Sequence, residues 1–476
     1  MASNNNNNVK IHEHTKVFPP SSTQKTTTPL TYFDIFWLRF HPVERVFFYA
    51  LPNSHSHPSF FFKKLVPILK SSLSLTLKDF LPLAGNIVWP LESQEPIIQY
   101  TPNDGVSLII AESDVDFNHV IENSPHDASL SRCFVPHLES TNSFASIISV
   151  QITLFPESGF SIGISTHHAA LDGKSSTMFI KAWAYLCNKT IETEELPTLL
   201  PELKPLLDRE IIKDNGLGDK FTKNWTEIIT MMFPNEKGNE RSLKILPFEP
   251  KLEDYVRSTF KLTREDLNKI KQMVLSKWEL LDTNELTSKP PTLSSFVLTC
   301  AYSLVCLAKA IHGVEKEKEK FGFAFTVDCR ARLEPPLPNN YFGNCVWGHL
   351  VDTKPLDYIN EDGVFLVAKC IHEKIKMINE KGVLDGVSDM FDKFASLASE
   401  KLEMMGVAGS NRFGVYEIDF GWGRPTKVEI VSADRGLTIA LAESKDGKGG
   451  IEVGLVLNNH VMNLFRTLFV EGLCIN

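Results

Sequence analysis

The chain has 476 residues, room at ~150 residues per domain for two or three domains. Hydrophobic residues make up 43% of it, Phe occurs 32 times, and Gly and Pro number only 26 and 27, which excludes disorder, a fibrous repeat and a small disulfide-stapled scaffold. The formal net charge is −9 with no Lys/Arg-only run, so a nucleic-acid partner is not expected and any anionic ligand must be met by a local cluster.

The N-terminus has neither the charge and apolar core of a secretory signal nor an Arg-rich amphipathic character. No window approaches ~18 uninterrupted apolar residues. The eight cysteines (Cys133, Cys187, Cys300, Cys306, Cys329, Cys345, Cys370, Cys474) never form C-x-x-C and several lie in apolar runs. They read as free thiols in a reducing compartment, and the chain as cytoplasmic with no membrane partner.

Residues 1–28 read as a loose polar arm, in which Val9 to Val17 can add an edge strand. Apolar positions at helical spacing (Phe62, Leu65, Leu69, Leu73, Leu77, Phe80) predict a helix over 59–80, stopped by Leu81-Pro82-Leu83-Ala84-Gly85. Ile97 to Tyr100 follows as a strand, and residues 145–166 as a hairpin turned at Pro156 to Gly159. Phe160, Ile162, Ile164 and Thr166 share a face of its second strand; His168 continues that parity and His167 does not. A helix is expected after it, with Phe179, Ile180, Trp183 and Cys187 on one side. Residues 192–250 lose periodicity and read as a linker.

The second half resumes with a strand at Tyr255 to Leu262, helices at Arg264 to Val274 and Leu293 to Ile311, and a strand at Gly322 to Val327. A last hairpin, Leu437 to Glu443 and Ile451 to Leu457, follows, and the chain ends soon after it. No regular βαβ alternation or repeat is present, so two α/β domains with mixed sheets are expected.

The sharpest local feature is Thr166-His167-His168-Ala169-Ala170-Leu171-Asp172-Gly173, where a buried strand gives way to a helix. A neutral imidazole can take a proton from a hydroxyl as a bond forms, worth about 10²- to 10⁴-fold in rate. His168 is the candidate base. Asp172 either holds its tautomer or turns away to brace the loop through an Arg; spacing leaves both open. His12, His14, His55 and His57 have no Cys or carboxylate at ligand spacing, so no metal site is expected. Nucleophile-elbow, Walker and dinucleotide-binding patterns are absent.

The sequence resembles the plant BAHD acyltransferase family. That family's H-x-x-x-D matches His168 to Asp172 and its D-F-G-W-G stands at Asp419-Phe420-Gly421-Trp422-Gly423; L-P-L-A-G at Leu81 to Gly85 and D-x-R-x-R at Asp328 to Arg332 match as well. The resemblance implies two chloramphenicol-acetyltransferase-like domains (1–200 and 251–476, joined by a crossover at 201–250) with a solvent channel between them, in a monomer. It implies that His168 is the general base, that Asp172 pairs with Arg330, and that Asp419 and Trp422 are structural. Asn340-Tyr341-Phe342-Gly343-Asn344-Cys345 and Gly421-Trp422-Gly423-Arg424-Pro425 resemble the clade acylating sugar hydroxyls of flavonoid, isoflavonoid and anthocyanin glycosides, mostly from malonyl-CoA. CoA is then a cosubstrate and no cofactor is expected.

A malonyl carboxylate in a channel needs a cation. Arg257 is the candidate here, against the alternative of a solvent-facing strand residue. Arg264, Ser294 and Ser295 are candidates for CoA, and Ser410 for the thioester oxyanion. Two other classes fit parts of the pattern: a condensation domain of a peptide synthetase, which shares H-H-x-x-x-D-G, and a non-catalytic binding relative.

Overall fold

The computed structural model describes all residues except 1–7, 21–23, 193–195, 233–240, 248, 251, 282–290, 315–320, 352, 394–402 and 475–476. Its strands, in chain order, are β1 (Val9–Val17), β2 (Thr26–Pro29), β3 (Val43–Ala50), β4 (Asn86–Val88), β5 (Ile97–Tyr100), β6 (Val106–Ser113), β7 (His126–Asp127), β8 (Phe144–Ser146) and β9 (Ile148–Phe155). They continue with β10 (Gly159–Thr166), β11 (Tyr255–Leu262), β12 (Phe321–Asp328), β13 (Val346–Val351), β14 (Glu403–Ser410), β15 (Lys427–Ile430), β16 (Leu437–Glu443) and β17 (Ile451–Asn458).

These form a mixed six-stranded sheet in the order β1-β6-β9-β10-β3-β15, a mixed seven-stranded sheet in the order β13-β12-β14-β16-β17-β11-β7, and a small four-stranded sheet. Val9–Val17 is the edge strand its composition allows, antiparallel to β6. The strand that delivers the histidines is central: β10 lies between β9 and β3, with Thr166 opposite Ile148 on one side and Val43 on the other.

All eight residues of both β9 and β10 are buried, because both faces of this sheet are covered. The Val66–Asp79 and Gly173–Glu192 helices close one face, held together by the Trp183 indole N–H donating to the Leu69 carbonyl (3.2 Å). Val46, Phe48, Phe117, Phe134 and Phe155 close the other. Alternation therefore does not separate inside from outside here, and the chain leaves the strand at Thr166, where period-two parity ends. His167, off the expected face, is the more buried histidine at 1% exposure.

The second sheet is packed by helices of its own. Ser295–Val314 is long and apolar enough to cross a membrane by length and composition, yet 78% of that window is buried among the Arg264–Leu281, Gly363–Lys381 and Asn459–Cys474 helices. It is a core helix. The Asn459–Cys474 helix follows the last hairpin directly and packs against it.

Each large sheet borrows one strand from the distant half of the chain. β15 joins the first sheet beside β3, and β7 joins the second beside β11. Ion pairs seal the crossing: Arg132 with Asp434, Arg435 with Glu44, and Arg257 near Glu429 (3.8 Å). The segment read as a linker carries the Leu217–Met232 helix, whose Phe221 stacks on Trp347 and whose Trp225 indole donates to the Ile35 carbonyl (2.9 Å). Leu217, Phe221, Trp225, Ile228 and Ile229 recur at helical spacing and pack into the core, so the reading of 192–250 as a linker without periodicity is corrected here.

Candidate active site

The H-H-x-x-x-D-G run is built by its own backbone. His167 N–H still bonds across to the Ile147 carbonyl (2.8 Å), then Ala170 N–H closes a turn onto the His167 carbonyl (3.0 Å). Asp172 starts the next helix: its Oδ1 accepts from Ser175 N–H (2.8 Å) and its carbonyl from Ser176 N–H (2.9 Å). A carboxylate at this position satisfies otherwise unpaired donors and suits the positive end of the helix dipole.

The other oxygen of Asp172 settles the choice left open by the sequence. Oδ2 accepts from Arg330 Nη1 (2.9 Å) and Cys345 N–H (3.0 Å), and no hydrogen bond joins Asp172 to His168. Asp172 braces the loop and does not orient the imidazole. Arg330 is fully buried and also binds the carbonyls of Tyr341 (3.2 Å) and Gly343 (3.0 Å) and the Ser175 hydroxyl (3.0 Å). Burial works against its charge, but Asp172 beside it holds the guanidinium pKa above the ordinary arginine value.

His168 itself is set face to face with Trp37, ring centroids 4.0 Å apart and 11° from parallel. Its carbonyl accepts from the Asn344 amide (2.8 Å). Neither ring nitrogen hydrogen-bonds to a described residue, and of the two Nδ1 is the one shut away from solvent. Burial pushes the pKa of His168 down to about 4; its own carbonyl pulls it up, His41 pushes it down and Asp172 pulls it up. The ring is neutral at pH 7, the state a proton acceptor requires.

A second buried ion pair supports the loop, and it was not read from the sequence. Asp34 accepts from the backbone and hydroxyl of Thr31 (2.9 and 2.8 Å), from the backbone and amide of Asn344 (3.1 and 2.9 Å), and from Arg209. Arg209 passes its other Nη to the Ala170 carbonyl (3.0 Å). The Thr31-to-Asp34 spacing is a capping-box signature, which is the available signal for Asp34. Arg209 carried no signal, because its partner is 175 residues away in sequence.

The remaining candidates separate. In D-F-G-W-G, Asp419 Oδ1 accepts from Gly421 N–H (2.7 Å) and Gly423 N–H (3.0 Å), both glycines at φ +101°. Phe420 is buried edge-on to Trp183, and Trp422 lies edge-on to Phe160. A Cβ on Gly421 would fall 2.5 Å from Ile191, about 27 Å along the helix from Gly173, so this motif is a remote turn.

Ser295 at the start of the apolar helix accepts from the Asn411 amide (3.4 Å), which brings it beside Ser410, whose hydroxyl accepts from Arg412 N–H (3.2 Å). Ser294 caps Val297 N–H (3.3 Å). Arg264 is exposed and lies instead against Gly449 of the last hairpin turn.

Arg257 is corrected outright. It is 4% exposed, so it is not a solvent-facing residue, and it is not a free cation either. Its two Nη atoms donate to the Ile430 (2.9 Å) and Val431 (2.8 Å) carbonyls, with Glu429 and Asp434 at 3.8 and 3.9 Å. The strand exchange that places β15 near β11 supplies those partners. Among the described residues, no group of three or more His, Cys, Asp or Glu side chains is arranged to hold a metal ion.

Comparison with known proteins bears on this arrangement. The profile described as Transferase family matches residues 7–471. Phenolic glucoside malonyltransferase 1 of Arabidopsis thaliana is 39% identical over 472 residues, covering 98% of each chain. Malonyl-CoA:anthocyanidin 5-O-glucoside-6''-O-malonyltransferase of the same organism is 39% identical over 477 residues, 99% of each. Among solved structures, vinorine synthase superposes with a TM-score of 0.67 at 18% identity, over 97% of this chain and 98% of that one, which shows the fold. With the family profile, the relatives and the fold in agreement over nearly the whole length, this chain belongs to the BAHD acyltransferase family.

Proposed function

We propose that the protein transfers a malonyl group from malonyl-CoA to a sugar hydroxyl, the glucose 6''-OH, of a flavonoid, isoflavonoid or related phenolic glucoside. The names of its relatives support donor and acceptor class. The observation that carries the chemistry is His168: a neutral imidazole on a braced loop, with Nε2 left unbonded by the described residues. In this reading Nε2 takes the proton of the sugar hydroxyl as its oxygen attacks the thioester carbonyl. The tetrahedral intermediate collapses, and the imidazolium returns that proton to the departing CoA thiolate.

Direct transfer in a ternary complex needs no acyl-enzyme and no cofactor, and Cys345 bears on the first of these. Cys345, whose N–H bonds Asp172, has its thiol pushed above the ordinary value by burial, the opposite of an activated nucleophile. Eight cysteines, none of them in a disulfide, support a cytoplasmic protein. The monomeric state follows the family reading.

The test incubates the protein with malonyl-CoA, acetyl-CoA or coumaroyl-CoA and a panel of flavonoid and simple phenolic glucosides, with mass detection. Products heavier by one malonyl group, lost about 10²- to 10⁴-fold in His168→Ala, are expected. Faster transfer of acetyl or coumaroyl groups would overturn the donor assignment, and a His168→Ala variant at the wild-type rate would overturn the base.

A further inference from the structure

With Arg257 engaged, a malonyl carboxylate needs another cation, and the cavity that Arg257 lines contains one. Arg45, on β3, is 5% exposed and makes a single hydrogen bond, from Nη1 to the Thr177 hydroxyl (3.0 Å). Of the five buried arginines, Arg209, Arg257 and Arg330 each have a carboxylate within 4 Å. Arg39 and Arg45 have none among the described residues, and of these two only Arg45 faces the cavity. A buried guanidinium without an anion costs several kcal/mol in desolvation, so a fold that keeps one at a cavity wall leaves room for a counter-ion.

The cavity lies next to the loop. Thr177 is one helical turn beyond Gly173 and donates to its carbonyl (2.7 Å), and Gly173 directly follows Asp172. Phe413, another wall residue, lies 2.9 Å from where a Gly173 Cβ would stand and carries the Arg45 guanidinium 6.0 Å from its ring centre. Arg45 pairs in register with Ile164, on the same face of the sheet and four residues before His168.

The acidic groups nearby each hold a partner of their own, although Glu429 Oε1 and Glu443 Oε2 accept no hydrogen bond from the described residues. Glu429 accepts from Ser131 (2.7 Å), and Glu452 from the Tyr416 hydroxyl (2.6 Å). Glu443, which accepts from Tyr416 N–H (2.9 Å), is the carboxylate whose field Arg45 feels, but it lies beyond ion-pair distance. A guanidinium offers five donors in a fork that matches a carboxylate, so one hydrogen bond to Thr177 leaves donors for a ligand.

We propose that Arg45 receives the free carboxylate of the acyl donor, and that the cavity it faces selects a malonyl over an acetyl thioester. The proposal rests on the malonyl reading above. Its test is the ratio of kcat/KM for malonyl-CoA to that for acetyl-CoA, with one glucoside acceptor, in the wild type, Arg45→Met, Arg45→Lys and Thr177→Val.

The ratio is expected to fall at least tenfold in Arg45→Met, less in Arg45→Lys, and measurably in Thr177→Val, which leaves the charge in place but removes its anchor. Thr177→Val and Arg45→Lys carry the test if Arg45→Met does not fold. Ratios within twofold of wild type in every folded variant would overturn the role of Arg45 while the donor reading stands. A wild-type enzyme without preference for malonyl-CoA would overturn that reading, and this inference with it.

Discussion

Asp172→Asn separates a bracing role from a chemical one. The carboxylate is 2% exposed and bound by three donors: Ser175 N–H (2.8 Å), Cys345 N–H (3.0 Å) and Arg330 Nη1 (2.9 Å). Asparagine keeps the volume and one acceptor oxygen, so the helix cap survives, but its NH₂ turns a donor toward Arg330 and Cys345. Arg330 is left with Asp328 (3.0 Å), whose side chain is 40% exposed and screened by water. Breaking one half of a buried pair costs about 3–5 kcal/mol, roughly a 10²- to 10⁴-fold loss in the folded-to-unfolded ratio.

Removing both halves leaves no stranded charge. The double variant Asp172→Asn/Arg330→Met should lose less than the sum of its singles by about 1–3 kcal/mol. The assay is urea unfolding followed by tryptophan fluorescence, run beside malonyl-CoA turnover on the same preparations. Activity should fall in step with stability and recover in part in the double variant. An Asp172→Asn protein as stable as wild type but a thousandfold slower would refute the argument, because Asp172 would then act on the reacting groups.

Two further outcomes follow from the same geometry. Asn344→Ala removes a donor shared by Asp34 and the His168 carbonyl, so a stability loss of about 1.5–3 kcal/mol and a lower kcat with little change in KM for the acyl-CoA are expected; an unchanged kcat would show that the His168 carbonyl needs no support. His167 and His168 have folded-state pKa values of about 3 and about 4 against 6.5 when unfolded, so the unfolded chain binds protons first on acidification. Stability is full above pH 6.5 and declines toward pH 4, by about 3 kcal/mol for His168 alone; equal urea midpoints at pH 7 and pH 5 would contradict the burial of these rings.

The sequence determined by itself what depends on near neighbours. The 59–80 helix, the hairpin ending at Thr166, the helix after Gly173 and the edge strand Val9–Val17 all follow from apolar spacing and from Pro and Gly breaks, and all are present. Two short motifs in the right order were enough to reach the family. Distant pairings were not accessible in this way.

Tertiary structure alone decided that Asp172 faces Arg330 and not His168, that Asp34, Arg209 and Asn344 hold the loop from behind, and that Trp37 lies flat on the imidazole. It also decided the fate of Arg257 and Arg45. Both are arginines on strands, with nothing local to tell them apart. The exchange of β15 and β7 between the sheets carries the Ile430 and Val431 carbonyls to Arg257 and leaves Arg45 with one hydroxyl and a cavity. Pattern fixes which way a strand residue points; which charge it meets depends on contacts more than a hundred residues away.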